Sequence, residues 1–259
     1  WQTKYAGQLL AALGLGQITS HPGYQLRVMT LGSFSAARGE TAIPPNSWRR
    51  AKARQLFQLL LTYRHTALDR DQILEYLWPG LEPAVAGRNF KVTLNTLYHV
   101  LEPERDPGSD SAFINRDGSA YCLRHGADIW LDADQFTDLV ARANAAMSRQ
   151  PARAAALLEE ALALYKGNYL PEALYETWAA GERERLAVLF LSAADELAEF
   201  YTAGGRYEQA VDICHRILAA DNCWERAYRY LMVAYQGWGN HGPIARTYQR
   251  CEPTWREEL

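Results

Sequence analysis

The feature that most constrains this chain is a change of hydrophobic period near residue 128. Before it, apolar residues alternate in short runs, recur at helical spacing through three segments, and then alternate again. After it, strand signals vanish and helical spacing continues to the end. One fold class does not accommodate both patterns. At roughly 150 residues per domain, the 259 residues hold two.

In the first pattern, Leu26, Val28 and Thr30 alternate with Arg27, Met29 and Leu31, and Gly32 interrupts them. Phe34 and Ala36 resume the alternation, and Thr41-Ala42-Ile43 is a third extended piece before Pro44-Pro45. These are three short strands of a small antiparallel sheet. Asn46 or Ser47 caps the next helix, in which Ala53, Leu56, Phe57, Leu60 and Leu61 recur at helical spacing through Thr62. A second helix starts near Asp69, with Ile73, Leu74, Leu77 and Trp78 on one face, and Pro79-Gly80 stops it. A third runs from about Ala84 to Leu101, its stripe Phe90, Leu94, Leu97 and Leu101 spaced 4, 3 and 4. Two alternating runs then flank Arg116-Asp117-Gly118-Ser119, and Asp-Gly between such runs signals a hairpin. Strands, three helices and a terminal hairpin in this order describe a winged helix-turn-helix, and 25–126 is its expected extent.

Residues 1–24 read as a linker or the end of an upstream segment. Tyr5–Leu15 suits a short helix, broken by Gly14, Gly16 and His21-Pro22-Gly23. The start at Trp1 suggests a fragment of something longer.

In 127–259 the expected helices are 134–149, 151–165, 173–202, 206–220, 223–237 and 241–252. An offset of 34 residues matches Gly205 with Gly239. With Tyr207, Ala210, Ala227 and Tyr235, it has the small-and-large rhythm of a tetratricopeptide repeat. Two adjacent hairpins in this register favour a solenoid over a plain bundle. Trp130, Trp178, Trp224 and Trp238 sit near helix junctions, where packing is the plain reading and an aromatic ligand groove the alternative.

Charge follows the same division. Residues 26–127 carry 13 Lys/Arg against 10 Asp/Glu, whereas 128–259 carry 13 against 20. A mildly basic half beside an acidic one suits a module that meets a polyanion joined to one that meets proteins.

Catalytic signatures are missing: there is no G-x-S-x-G, G-x-x-x-x-G-K-[ST], H-E-x-x-H or G-x-G-x-x-G behind a strand. Paired carboxylates such as Glu159-Glu160 and Asp195-Glu196 are adjacent on helices and point to different faces. The chain is therefore expected not to be an enzyme and to need no cofactor. Cys122, Cys214, Cys223 and Cys251 form no C-x-x-C pair and have no His at zinc spacing. Free thiols in a reducing cytoplasm, with no metal, are the expectation. No apolar run approaches the ~18 residues that span a bilayer, so no membrane partner is expected.

Several stretches together resemble a known family. They are Ser47-Trp-Arg-Arg-Ala-Lys-Ala-Arg, Asp69-Arg-Asp-Gln-Ile-Leu, Leu77-Trp-Pro-Gly and Arg88-Asn-Phe-Lys-Val-Thr-Leu-Asn-Thr-Leu, followed by Trp130-Leu-Asp-Ala-Asp-Gln-Phe, Tyr165-Lys-Gly-Asn-Tyr-Leu, Glu182-Arg-Glu-Arg-Leu and Gly205-Arg-Tyr-Glu-Gln-Ala. Over about 26–259 the chain is similar to SARP-type (Streptomyces antibiotic regulatory protein) transcriptional activators. The resemblance implies a winged helix followed by a tetratricopeptide-like bacterial transcriptional activation domain. It also implies binding to double-stranded promoter repeats and recruitment of RNA polymerase, with the turn Pro79–Pro83 as the polymerase contact. A homodimer or a small-molecule effector would engage the helical half. Relatives usually carry Arg-Leu-Arg-Arg where this chain has Thr96-Leu97-Tyr98-His99.

If the stripe of the third helix faces the core, its opposite face shows Arg88, Lys91, Asn95, Tyr98 and His99. Arg88 and Lys91 are assigned to the backbone or groove edge, and Asn95 and Tyr98 to base edges; a solvated polar face is the plainer reading. Arg116 and Arg124 bracket the hairpin turn as wing contacts, or as an ordinary charged hairpin. Arg49, Arg50, Lys52 and Arg54 gather at the start of the first helix. Positive charge there opposes the helix dipole, so phosphate, a partner or a carboxylate elsewhere in the fold would compensate it. A second function class stays open: a helical-repeat signalling module binding a small nucleotide effector or a protein partner, with a weakened DNA-binding winged helix.

Overall fold

A computed structural model of the chain describes residues 22–239 apart from Pro107, together with 242–247 and 249. The helix expected over Tyr5–Leu15 and the far end of the helix expected over 241–252 lie outside the described residues; 242–247 are helical. Two compact units form. One takes the chain up to Asp132 together with Leu170–Glu182, and the other takes Ala133–Tyr169 and the chain from Arg183 onward.

The first unit opens with β1 (Leu26–Met29), β2 (Ser35–Arg38) and β3 (Thr41–Ala42), an antiparallel meander with Leu26 opposite Arg38 and Ala37 opposite Ala42. Alternation places Leu26 and Val28 on the buried face. Strand signals do not end at residue 128 as expected. A further strand, Ile129–Leu131, pairs parallel with β1 and completes a sheet of order β3-β2-β1 and then this strand. The buried Asp132 carboxylate fastens it, accepting the N–H groups of Thr30 (2.7 Å) and Leu31 (2.9 Å) and the Thr30 hydroxyl (2.7 Å). That anchor carries the first unit past the residue 126 boundary read from periodicity.

The first helix, α1 (Ala51–Thr62), starts later than expected. Asn46 and Ser47 lie inside a short 3-10 turn, Pro45–Trp48, and the helix cap is Arg50, which makes no side-chain capping bond. The proline run favours the turn, because Pro45 sets its own φ and donates no N–H. α2 (Arg70–Leu77) and α3 (Pro83–Leu101) follow, with the two-residue β4 (Leu68–Asp69) just before α2. The hairpin β5 (Ile114–Asp117) and β6 (Ala120–Leu123) pairs in register, and β6 also pairs with β4. Gly118 takes φ +59° in its turn, a backbone that Gly adopts at no cost. The core gathers Phe57, Leu60, Ile73, Phe90, Leu97, Leu101 and Phe113. Thr93 and Val100 are buried with the expected α3 stripe, while Leu94 is only half-buried. The Ile129–Leu131 strand is β7, and among the described residues β1 to β7 all belong to this unit.

The second unit is helical: α4 (Asp132–Ala146, from Ala133), α5 (Pro151–Leu164), α6 (Thr177–Ala203, from Arg183), α7 (Tyr207–Ala220) and α8 (Glu225–Gly237). Gly205 and Gly239, matched by the 34-residue offset, share one backbone conformation, φ +71° and +73°. Ala210, Ala227 and Ala234 are fully buried, where small side chains let neighbouring helices approach. Tyr207 lays its ring against Gly237, at the end of the next hairpin. Among the described residues no helix is long and apolar enough to cross a membrane.

Candidate nucleic-acid interface

The candidate surface is built on α3, and three devices hold that helix in place. Glu82 caps it, accepting the N–H groups of Ala84 and Val85 (both 3.2 Å), and Pro83 occupies the first turn where its missing N–H costs nothing. The Phe90 ring meets Tyr121 of β6 edge-on at 5.0 Å. Beyond the helix, the buried Glu102 carboxylate accepts the Ala112 N–H (2.8 Å) and the Ser111 hydroxyl. The Ser111 oxygen in turn accepts the N–H groups of Phe113 and Ile114, which ties the start of β5 to the end of α3.

Asp69 fixes α2 and the hairpin turn together. Its side chain caps α2 in a reciprocal box with Gln72 and accepts the Ser119 hydroxyl at 2.5 Å. These bonds, led by the one from Ser119, hold its carboxyl below the usual carboxylate range. The Arg70 guanidinium crosses above Gly87, so any larger residue at 87 would strike it.

At 3.6 residues per turn, Arg88, Lys91, Asn95, Tyr98 and His99 fall within an arc of about 100° of α3. Arg88, Lys91, Asn95 and His99 are exposed. Among the described residues, neither Arg88 nor Lys91 forms an ion pair. Tyr98 is half-buried beneath Arg105, whose guanidinium lies 4.4 Å from the ring centroid. Burial pushes the Tyr98 hydroxyl above its ordinary range, so it stays a donor.

Arg49 and Arg50 are exposed, and Arg49 holds φ +48°, one of two non-glycine residues with positive φ among the described residues. Lys52 is half-buried over the Trp78 ring. No acidic residue stands in the first turn of α1. On the hairpin the two arginines differ. Arg116 is exposed, its Nε donating to the Gly118 carbonyl at 3.0 Å, whereas Arg124 is half-buried and donates to the Ser111 carbonyl at 2.9 Å.

A cleft of about 600 Å³ brings some of these groups together and adds one that sequence reasoning missed. Asn95 and His99 of α3 share it with Arg49 and with Arg38 of β2. Arg50, Lys52, Arg116 and Arg124 do not line it. Arg38 lies 57 residues before Asn95, and no local motif links them. Thus Arg38, Arg49 and Arg105 stand around the end of α3 that carries Tyr98 and His99. Val92, 46% exposed, is a further residue on the same face that sequence reasoning left out.

In the second unit, two arginines of the repeat are tied into the fold. Arg226 pairs with Asp195 (2.9 Å) and Glu199 (2.7 Å), and Trp224 donates to Asp195 at 2.9 Å. Arg216 donates to the carbonyls of Leu162 and Tyr165 at the end of α5.

Residues 131–259 match the family described as Bacterial transcriptional activator domain. Among solved structures, the fold is similar to Mycobacterium tuberculosis EmbR in complex with a low affinity phosphopeptide, with a TM-score of 0.73 and 19% sequence identity over 91% of this chain. The chain spans about 61% of the length of that protein. No curated protein matches it. Residues 131–259 thus carry the bacterial transcriptional activator domain, and a winged-helix unit precedes them, the domain order of SARP-type regulators.

Proposed function

We propose that the chain binds double-stranded promoter DNA, with α3 in the major groove and the β5–β6 hairpin against the backbone. The observation that carries this reading is the face of α3. Arg88 and Lys91 stand there without ion pairs among the described residues, Asn95 lies between them and the helix end, and Arg38, Arg49 and Arg105 surround that end. Cations without carboxylate partners suit phosphates, which dominate affinity, while an amide on the groove face suits adenine. The polymerase contact is assigned to the turn before α3, where Leu81 is 43% exposed. On this reading a partner bound there sits next to the DNA without competing for the α3 face.

Selection from a random duplex library tests the assignment. The parent is expected to recover a repeated sequence. Asn95→Ala should relax preference at one position of each repeat, at ~1–3 kcal/mol. The variant Arg88→Ala/Lys91→Ala/Asn95→Ala should lose about 100-fold in affinity, or about 2.8 kcal/mol. Equal binding by parent and triple variant would remove α3 from the interface.

A further inference from the structure

We infer that the cleft between β2, the turn before α1 and the end of α3 is a binding site for a small phosphate ester, of the size of a nucleoside monophosphate. Two guanidinium groups, Arg38 and Arg49, converge there with the His99 ring and the Asn95 amide. No Asp or Glu lines it. Among the described residues neither arginine forms an ion pair; the Arg38 guanidinium makes only a long 3.4 Å contact with the Val100 carbonyl. Uncompensated guanidinium pairs match a phosphate monoester, which carries a charge near −2 at neutral pH and accepts forked donors on several oxygens.

The shape separates a small ligand from a stretch of DNA backbone. A volume of about 600 Å³ lies within the ~300–1,000 Å³ of small-molecule sites. A duplex phosphate needs only a projecting cation, such as Lys91. This cleft is instead recessed and has an apolar wall, Val100 and Pro103, with the Ser47 and Thr96 hydroxyls beside it. That combination suits an organic moiety attached to the phosphate. Arg49, exposed in the turn before α1, is held at a positive φ, a kind of strain that concentrates at functional positions.

The location gives the ligand a consequence. Asn95 and His99 belong both to the cleft and to the α3 face, so a bound ester and a duplex would compete for them. This competition rests on the DNA reading of α3; the binding site does not.

Calorimetric titration of the full chain with adenosine and guanosine 5′-monophosphate tests the site, with adenosine and inorganic phosphate as controls. At least one nucleotide is expected to bind saturably and adenosine not at all. Arg38→Gln/Arg49→Asn should weaken that binding at least about tenfold, Asn being chosen because it tolerates positive φ. His99→Ala, an exposed change with little effect on folding, should weaken it as well, and the exposed charge control Arg142→Ala should not. Absence of saturable binding by either nucleotide would overturn the site, as would undiminished binding by the double variant. Loss of duplex binding in the double variant without nucleotide binding by the parent would also overturn it, assigning the cleft to a backbone phosphate. Nucleotide binding that depends on Arg38 and Arg49 in a chain that ignores duplexes would uphold the site and refute only the competition.

Discussion

Several arginines of the two units are used in opposite ways. In the second unit three are tied into the fold: Arg226 by Asp195 and Glu199, Arg206 by Glu159 and the Tyr201 ring, Arg216 by the last carbonyls of α5 and the Phe190 ring. Burial lowers the affinity of Arg216 for its proton, and its two carbonyl acceptors give the charge what water would have supplied. In the first unit Arg64 and Arg124 are used similarly, the former against Glu182 at 2.9 Å. Arg49, Arg88 and Lys91 are exposed without ion pairs among the described residues, and Arg38 makes only a long 3.4 Å contact with the Val100 carbonyl. The difference teaches that composition is a poor guide to where charge acts. A half with an excess of acid still binds several arginines internally, and a half with a small excess of base leaves cations such as Arg49, Arg88 and Lys91 facing outward.

Substitutions at packed positions should register as stability, and a pair of glycines, one in each unit, sharpens the point. Gly237→Ala puts a methyl into the Tyr207 ring. Overpacking of this kind costs ~1–3 kcal/mol, against a helix-propensity gain of at most ~1 kcal/mol at the last residue of α8. Urea unfolding should show a net loss of about 1–2 kcal/mol. Gly181→Ala, in α6 with nothing in front of the added methyl, should instead gain up to ~1 kcal/mol. Two changes of the same sign would contradict the packing described at the repeat.

A smaller effect is expected from Asp69 in the first unit. Its carboxyl is held below the ordinary range in the folded chain, mainly by the Ser119 hydroxyl and the Asp71 N–H. A depressed folded value means that its contribution to stability is present above the unfolded pKa and is lost as pH falls through the folded one. Asp69→Asn should therefore narrow the stability difference from the parent as the medium becomes acid. A difference that grows on acidification would refute the assigned hydrogen bonds.

Much of this architecture was legible locally. Asp69 marked the start of α2, though its capping box with Gln72 went unread, Asp117-Gly118 announced the hairpin, and Gly205 with Gly239 announced the repeat, where both take the same φ. Ile129-Trp130-Leu131 escaped notice because three residues are too few to show alternation. Their partner is β1, about 100 residues earlier, and only the Asp132 anchor explains the pairing. Asn46 and Ser47 misled for a related reason: good capping side chains cannot cap a helix when Pro45 starts a tighter turn first. The α3 face was readable from one stripe of apolar residues. The cleft beside it was not, since Arg38, Arg49 and Asn95 come from three elements that periodicity treats separately.

The most direct test of the outward-facing cations is the salt dependence of duplex binding by the parent and by Lys91→Ala. The logarithm of affinity should fall linearly with the logarithm of salt, and Lys91→Ala should reduce the slope by about 0.9, one phosphate contact. Identical slopes, or binding indifferent to salt, would contradict the claim that the first unit keeps these charges for DNA.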